Sequence, residues 1–579
     1  MPKTLPLLRK EITYSTAATE EVNILHKLQY VQKRIDFFTL LYTNTDWIEE
    51  TVAHHLGLST SQCEVVGVKD WLHGSFNVCI PVDIKGEKFN RVLIRFPLPY
   101  RVGESVCPGN SDEKLRCEAG TYAWMQDNCP DVPIPRLHGF GLSSGQASTH
   151  IENLSFLNRA LHHLRRFFLG VLGYPVPTKY IPHAQHVEKG GRDLNSGYLL
   201  LECIQNGQML STTWQERHRN PTYRQTFFRD LAKIMLSLTS VPLPRIGSFQ
   251  IDEKGILRLT NRPLTSEIHN LENENVPSEI PRDFTYCTVD SYVMDLLRVH
   301  SNRVRHQPNA INNIPDCQYQ VTTLAAMQTI IPSMFARKFC RGPFAFSLTD
   351  LHQSNIFVDD NWNITSLIDL EWACPRPVEL LRTPTWLTNE ACDQLALEEN
   401  AEIYDEVRME YLSIMAEEEN KISLSCESKN RAGPKLSEIL EENWQSGTFW
   451  YSLALDSPTG IFWIFHRQLK PRFTKGFENF NDDGLQEALC CFWSKDLVRI
   501  SIDKMKHREQ YDSQLKELFG VTDEQEDHDE AVVVKEEVND ESSGATSQDK
   551  ITVVVENADE PEPKNPGPEI AIVDLQDRD

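Results

Sequence analysis

Three residues in one stretch of the chain have the types and spacing that phosphoryl transfer needs. In Ser347-Leu348-Thr349-Asp350-Leu351-His352-Gln353-Ser354-Asn355-Ile356-Phe357-Val358, an Asp is followed five residues later by an Asn. Leu367-Ile368-Asp369-Leu370-Glu371-Trp372 then supplies a second Asp. Transfer from ATP to a hydroxyl needs one carboxylate to accept the hydroxyl proton. It also needs an amide oxygen and a second carboxylate to hold Mg²⁺ on the phosphates. Asp350, Asn355 and Asp369 could fill those roles. A D-x-x-x-x-N spacing alone carries little information. Here it is flanked by two short strand runs, Ile356-Phe357-Val358 and Ser366-Leu367-Ile368, with an Asp359-Asp360-Asn361 turn between them. A tight hairpin of that kind would bring the three residues to one edge.

Elements on both sides must position this edge. Upstream, Cys63–Val68, Asn77–Val82 and Arg91–Phe96 read as strands, the last two joined by a turn at Lys85-Gly86-Glu87. The expected arrangement is an antiparallel meander. A helix is expected over Glu113–Asn128, followed by the Pro-rich Val132–Pro135 and a buried strand at Tyr198–Cys203. Residues 1–60 read as a helical leader, with Phe37–Tyr42, Trp47, Ile48, Val52 and Leu56 at helical spacing. After Gly207 the chain reads as mostly helical to about residue 520, interrupted by the two strand runs above. The divisions are therefore 1–60, 61–206 with an insertion near 143–195, 207–520 and 521–579. Inside the insertion, Leu161–Phe168 forms a basic amphipathic helix. It reads as a membrane-surface element or as an insertion packing its Leu/Phe face on the sheet. One short helix in an acidic chain favours the second.

The run T-D-L-H-Q-S-N-I-F-V…I-D-L-E-W resembles the catalytic and metal loops of the aminoglycoside phosphotransferase-like small-molecule kinases, particularly their large fungal branch. The resemblance covers roughly residues 60–420. It implies an α+β, two-lobed protein-kinase-like fold, with an antiparallel-sheet N-terminal lobe and a mainly helical C-terminal lobe. It also implies ATP and Mg²⁺ as cofactors and a small-molecule acceptor. By that carry-over Asp350 is the catalytic base, and Asn355 and Asp369 are metal ligands. Asp369-Leu370-Glu371 stands where protein kinases have Asp-Phe-Gly, and no Ala-Pro-Glu follows, which favours a small acceptor over a protein. In the N-terminal lobe, Gly74 and Ser75 of His73–Asn77 would cover the phosphates. With one Gly, the same residues also read as an ordinary hairpin turn. Arg95 stands where the family usually has Lys; it keeps the charge in a bulkier fork. Glu118 would be its carboxylate partner, or else a solvated helix acid. Glu202 and Cys203 would form the hinge that meets adenine. Leu348 replaces the family's usual His, and His352 reads as a loop-structuring residue. A catalytically inactive nucleotide-binding scaffold that recruits partners through its tail is the alternative that Arg95 and Leu348 support.

Composition bounds the remaining choices. The 579 residues carry 58 Lys+Arg against 83 Asp+Glu, a net charge of −25. From Val521 to Asp579 there are 19 acids and 4 bases, a net of −15, which leaves −10 on the first 520 residues. Nucleic-acid and anionic-lipid binders need Lys/Arg clusters, and no nucleic-acid partner is expected. Fourteen Cys without a C-x-x-C pair indicate reduced thiols rather than zinc or redox sites. No apolar run approaches the ~18 residues of a membrane span. The expectation is a cytoplasmic protein, with nucleus and mitochondrion as alternatives. The acidic tail should be disordered. Within it, Val534-Lys535-Glu536-Glu537 resembles an acceptor site for the small ubiquitin-like modifier. Ile551–Val555 and Ile572–Leu575 resemble that modifier's docking motifs.

Overall fold

The strands Asn77–Ile84 and Arg91–Pro97 bury nearly every position on both faces, as a strand covered on two sides must. They lie inside an eight-stranded antiparallel sheet. Its order runs Cys63–Val65, Asn77–Ile84, Arg91–Pro97, Tyr198–Glu202, Leu137–Gly141, Gln146–His150 and Tyr180–Ala184, with Leu72–His73 paired to Asn77–Ile84. The structure, a computed structural model, describes residues 3–86, 90–184, 194–425, 435–476 and 482–521, apart from the side chains of residues 393, 423–425 and 482–483. The acidic tail beyond Val521 lies outside the described residues, with Lys535 and the modifier-like motifs. The fold is mixed helix and antiparallel sheet.

Contacts group the described chain into two units. The larger comprises residues 36–300 and 327–480 and contains the sheet. Its helix Asn110–Asn128 packs against the hairpin Ser248–Ile251/Leu257–Asn261 closely enough to require a glycine. A Cβ at Gly120 would sit 2.3 Å from the Phe249 carbonyl oxygen. The smaller unit comprises residues 3–35, 301–326 and 482–521 of the described chain. A core of Ile12, Ala17, Ile24, Tyr511, Leu515 and Phe519 holds it together.

Three expectations need correction. The 1–60 leader is not wholly helical: a hairpin, Thr4–Pro6 with Glu11–Thr13, precedes its helices. Contacts also place residues up to Ile35 in the smaller unit and from Asp36 in the larger. After Gly207 the described residues hold seven strands rather than two runs. The unforeseen pair Phe344–Leu348 and Ala373–Pro377 is antiparallel, and Pro375 and Pro377 hid the second strand, since Pro cannot donate to a ladder. Finally, the amphipathic helix, Phe156–Val171, does not pack its Leu/Phe face on the sheet: that face is exposed. The helix is held instead by its polar side. His162 bonds the Thr178 carbonyl at 2.8 Å, and Arg166 donates to the Pro177 carbonyl.

Candidate active site

The loop around Asp350 is fixed from both sides. Leu348 ends the strand Phe344–Leu348 opposite Ala373. The next residue, Thr349, donates both its N–H and its hydroxyl to the Trp372 carbonyl, each at 2.8 Å. His352 begins a short turn, accepting the Ser354 N–H at 3.5 Å and facing the Trp386 ring, centroids 5.7 Å apart. Trp386 in turn donates to the Leu351 carbonyl at 2.8 Å. His352 therefore structures the loop. Asp350 itself lies on the exposed side.

Asn355 ties this loop to the next. Its amide nitrogen donates to the Asp350 carbonyl at 2.9 Å. Because a carbonyl can only accept, that contact orients the amide and leaves Oδ1 pointing away, bonded by the Ser354 hydroxyl at 3.4 Å. The Asn355 carbonyl accepts the Ile368 N–H at 2.9 Å, one residue before Asp369. The hairpin behind it, Ile356–Val358 with Ile364–Leu367, turns at Asp359, whose carboxylate accepts three donors from Asn361 and Asn363. Gln208–Met209 joins its edge. Gly207, at φ +91, is needed at that junction, since a Cβ there would meet the Val358 carbonyl at 2.7 Å.

Asp369 has φ +55, a left-handed backbone that Asp tolerates better than most residues. Its carboxylate receives Arg95 Nη1. Arg95 projects from the central strand Arg91–Pro97 and is 4% exposed. Its Nη2 reaches Glu118 on the helix Asn110–Asn128, and lies 3.7 Å from Glu371. Glu118 is thus a buried partner and not a solvated helix acid. One turn earlier on that helix, fully buried Lys114 donates to Glu371 at 2.7 Å and to Asn77 Oδ1 at 2.6 Å. Asn77 returns a donor to Glu371 at 2.6 Å. Three carboxylates, Glu118, Asp369 and Glu371, face two cations, Arg95 and Lys114, a formal surplus of one negative charge.

Burial and the neighbouring charges set the titration directions in this cluster. Burial would weaken the charge on Arg95, but Asp369 and Glu371 hold its pKa above the ordinary value. Burial pushes Asp369 up, aided by Glu371 and opposed by Arg95. Burial would also raise Glu371, but Lys114 and Arg95 draw it below its usual range. Burial lowers Lys114, with Glu371 opposing. Of the three carboxylates, Asp369 is the one that reaches solvent, its side chain 36% exposed against 0% for Glu118 and 4% for Glu371.

The remaining expected residues stand nearby in sequence order but make other contacts. Gly74 is exposed and its N–H closes a tight hairpin onto the Asn77 carbonyl at 3.0 Å. The Ser75 carbonyl accepts from Arg101 at 2.7 Å. Phe76, between Ser75 and Asn77, packs edge-on against Trp372, centroids 5.0 Å apart. Glu202 ends its strand with both its N–H and its carboxylate engaged by the Arg136 backbone, and Cys203 follows it half-buried. Sequence reasoning missed Lys114, Glu371 and Asn77 as members of the cluster. A signal existed: Lys114 lies four residues before Glu118, on one helix face, and Glu371 lies two after Asp369.

The donor set fits a hard cation. Asp369 offers a partly exposed carboxylate in a surplus-negative cluster, and Asn355 Oδ1 carries only one long hydroxyl contact. Among the described residues no group of three or more His, Cys, Asp or Glu could hold a metal unaided. Mg²⁺ bound here would take further ligands from phosphates and water, its usual habit.

No protein-family model matches the chain, and no curated protein matches it in sequence. Among solved structures, a macrolide 2'-phosphotransferase type I is similar at a TM-score of 0.32 and 10% identity, over 74% of this chain and 96% of that chain. A likeness that distant carries no weight for mechanism. No described helix is long and apolar enough to cross a membrane.

Proposed function

We propose that the chain is an ATP- and Mg²⁺-dependent phosphotransferase on a two-lobed kinase-like fold, moving the γ-phosphate to a hydroxyl of a small molecule. The observation that carries this reading is one continuous set of contacts. It runs from the Asp350 backbone through Asn355 to the loop of Asp369, and through Arg95 to Glu118. Asp350, exposed on a loop pinned at Thr349 and Asn355, would accept the acceptor's hydroxyl proton. Arg95, oriented by Glu118, would hold phosphate oxygens with a planar fork. Asp369 and Asn355 Oδ1 would hold Mg²⁺, which when bound supplies neutralising charge on the phosphates. Gly74 and Ser75 would cover the phosphates, and Glu202 with Cys203 would flank adenine.

One contact favours a second reading, a nucleotide-binding scaffold without turnover. Arg95 already occupies one oxygen of Asp369, so the ion pair must open or share that oxygen when metal enters. ATP consumption measured across a panel of hydroxylated small molecules separates the two. The phosphotransferase reading expects turnover with at least one acceptor. It also expects a loss of about a hundred-fold or more for Asp350→Asn, with Mg·ATP binding retained. Equal ATP binding by both proteins, with neither consuming ATP above the acceptor-free rate, would establish the scaffold instead.

A further inference from the structure

The helix Phe156–Val171 is turned inside out relative to an ordinary surface helix. Leu157, Leu161, Leu164, Phe167, Phe168 and Val171 are each between 51% and 72% exposed. At about 100° per residue these side chains share one broad face, an arc far wider than a coiled-coil seam. The opposite face docks on the protein through polar groups. His162 bonds the Thr178 carbonyl, and Arg166 bonds the Pro177 carbonyl and approaches Asp127 at 3.6 Å. Continuous apolar surface of this kind marks an interaction site rather than ordinary exposed residues.

Charge indicates what covers it. No Asp or Glu occurs from residue 153 through 187, while Arg159, Arg165, Arg166 and Lys179 fall within that run, in a chain of net −25; Arg166 and Lys179 each lie 3.6 Å from Asp127, so the run's outward positive charge rests on Arg159 and Arg165. Arg165 and His163 are exposed and, by the same helical arithmetic, edge the apolar face on opposite sides. Tyr174, 62% exposed, lies just past the helix end, and such amphipathic rings favour the membrane–water boundary. At 16 residues the helix is about 24 Å long, too short to span a hydrocarbon core of about 30 Å. It can lie only in the plane of a surface.

We propose that this helix seats the protein peripherally on an anionic phospholipid surface, with its Leu/Phe face among the acyl chains and Arg165 and His163 at the headgroups. A second copy of the chain is a poorer occupant, because pairing two such helices face to face brings Arg165 to the seam with no Asp or Glu on the helix to pair it. The acidity elsewhere in the chain does not forbid the contact, since charges beyond about 8 Å are screened at physiological ionic strength.

Flotation of the full chain with vesicles tests the proposal. Vesicles of phosphatidylcholine alone are compared with vesicles containing about 30% phosphatidylserine, at about 50 and about 300 mM salt. Expected are roughly tenfold stronger binding to the anionic vesicles and weaker binding at high salt. The double variant Leu164→Glu/Phe168→Glu should lose the binding. Both side chains are exposed, so its urea midpoint should match wild type, which guards against misfolding. No binding to anionic vesicles, or unchanged binding by the double variant, overturns the proposal. So does a wild-type dimer that the double variant dissolves while neither protein binds vesicles, which would make this face an interface between copies.

Discussion

The helix Asn110–Asn128 carries two buried ion clusters on neighbouring faces, and they are built differently. Around Glu113, two cations, Arg262 and Arg282, meet two carboxylates, Glu113 and Glu272. Every guanidinium nitrogen of Arg262 is engaged: Nε and Nη2 form a fork on Glu113 at 2.9 Å each, and Nη1 reaches Glu272 at 2.6 Å, Ser278 and the Ile280 carbonyl. Burial would raise Glu113, yet His269 and Arg262 hold its carboxyl far below the usual range. One turn along, Arg95 and Lys114 face three carboxylates. There Glu118 Oε2 is buried without a partner, Asp369 sits in a left-handed backbone, and its carboxyl is pushed up rather than down. The first cluster has a cation for each carboxylate, with His269 3.7 Å from Glu113 as well, and it reaches solvent through a cation, Arg282, 42% exposed. The second is short of one positive charge and open on one side, which suits a site that takes up a cation.

The comparison breaks most directly at Arg262. Arg262→Met should cost about 3–5 kcal/mol, because it strands two buried carboxylates, and Mg²⁺ should restore none of it. Urea unfolding with and without Mg²⁺ reads both, and a loss under about 1 kcal/mol would remove the structural role.

Glu379 calibrates what a buried carboxylate does without a hydrogen-bonded cation. It accepts the Ala336 N–H at 2.6 Å, and burial pushes its pKa up to about 7. The folded state therefore binds the proton more tightly than the unfolded chain. Its favourable contribution is full below about 4.5 and is lost as pH rises through about 7. Glu379→Gln should be about 3 kcal/mol more stable than wild type at pH 8, with little gain near pH 4.5. A gap that does not change with pH would contradict the assignment.

The smallest effect belongs to Asp369. Since burial raises its pKa, the folded state disfavours its charge, and Asp369→Asn should be slightly more stable than wild type at neutral pH. The gain should widen as pH rises through the folded pKa and shrink below it. The same variant should lose the Mg²⁺ dependence of ATP binding, measured by calorimetry. A variant less stable than wild type at every pH would mean that the Arg95 contact outweighs the surplus charge.

Much of this was readable in advance where chemistry is local. The strands at Asn77, Arg91 and Tyr198, the helix ending at Asn128 and the hairpin turning at Asp359 were all expected from alternation, periodicity and turn residues. The spacing of Asp350 and Asn355 is set by one loop, and a single side-chain hydrogen bond joins them. Lys114 was not read as part of the cluster, because its partner Glu371 lies 257 residues away. The strand Ala373–Pro377 was missed because its prolines argue against a ladder when no partner is known. Glu202 was expected at a hinge, and its commitment to the Arg136 backbone depends on a neighbouring strand.

By itself the sequence determined the central strands from Asn77 to Phe96, the types and spacing of Asp350, Asn355 and Asp369, and the concentration of −15 of the −25 charge in the last 59 residues. Periodicity also established that Leu161–Phe168 has an apolar face. Which way that face points was decided only by tertiary structure, because a helix shows the same stripe whether its apolar or its polar side meets the protein. The same holds for the two ion clusters. Composition counts charges, but only the folded chain sorts five of them into a group that lacks one cation and four into a group that lacks none.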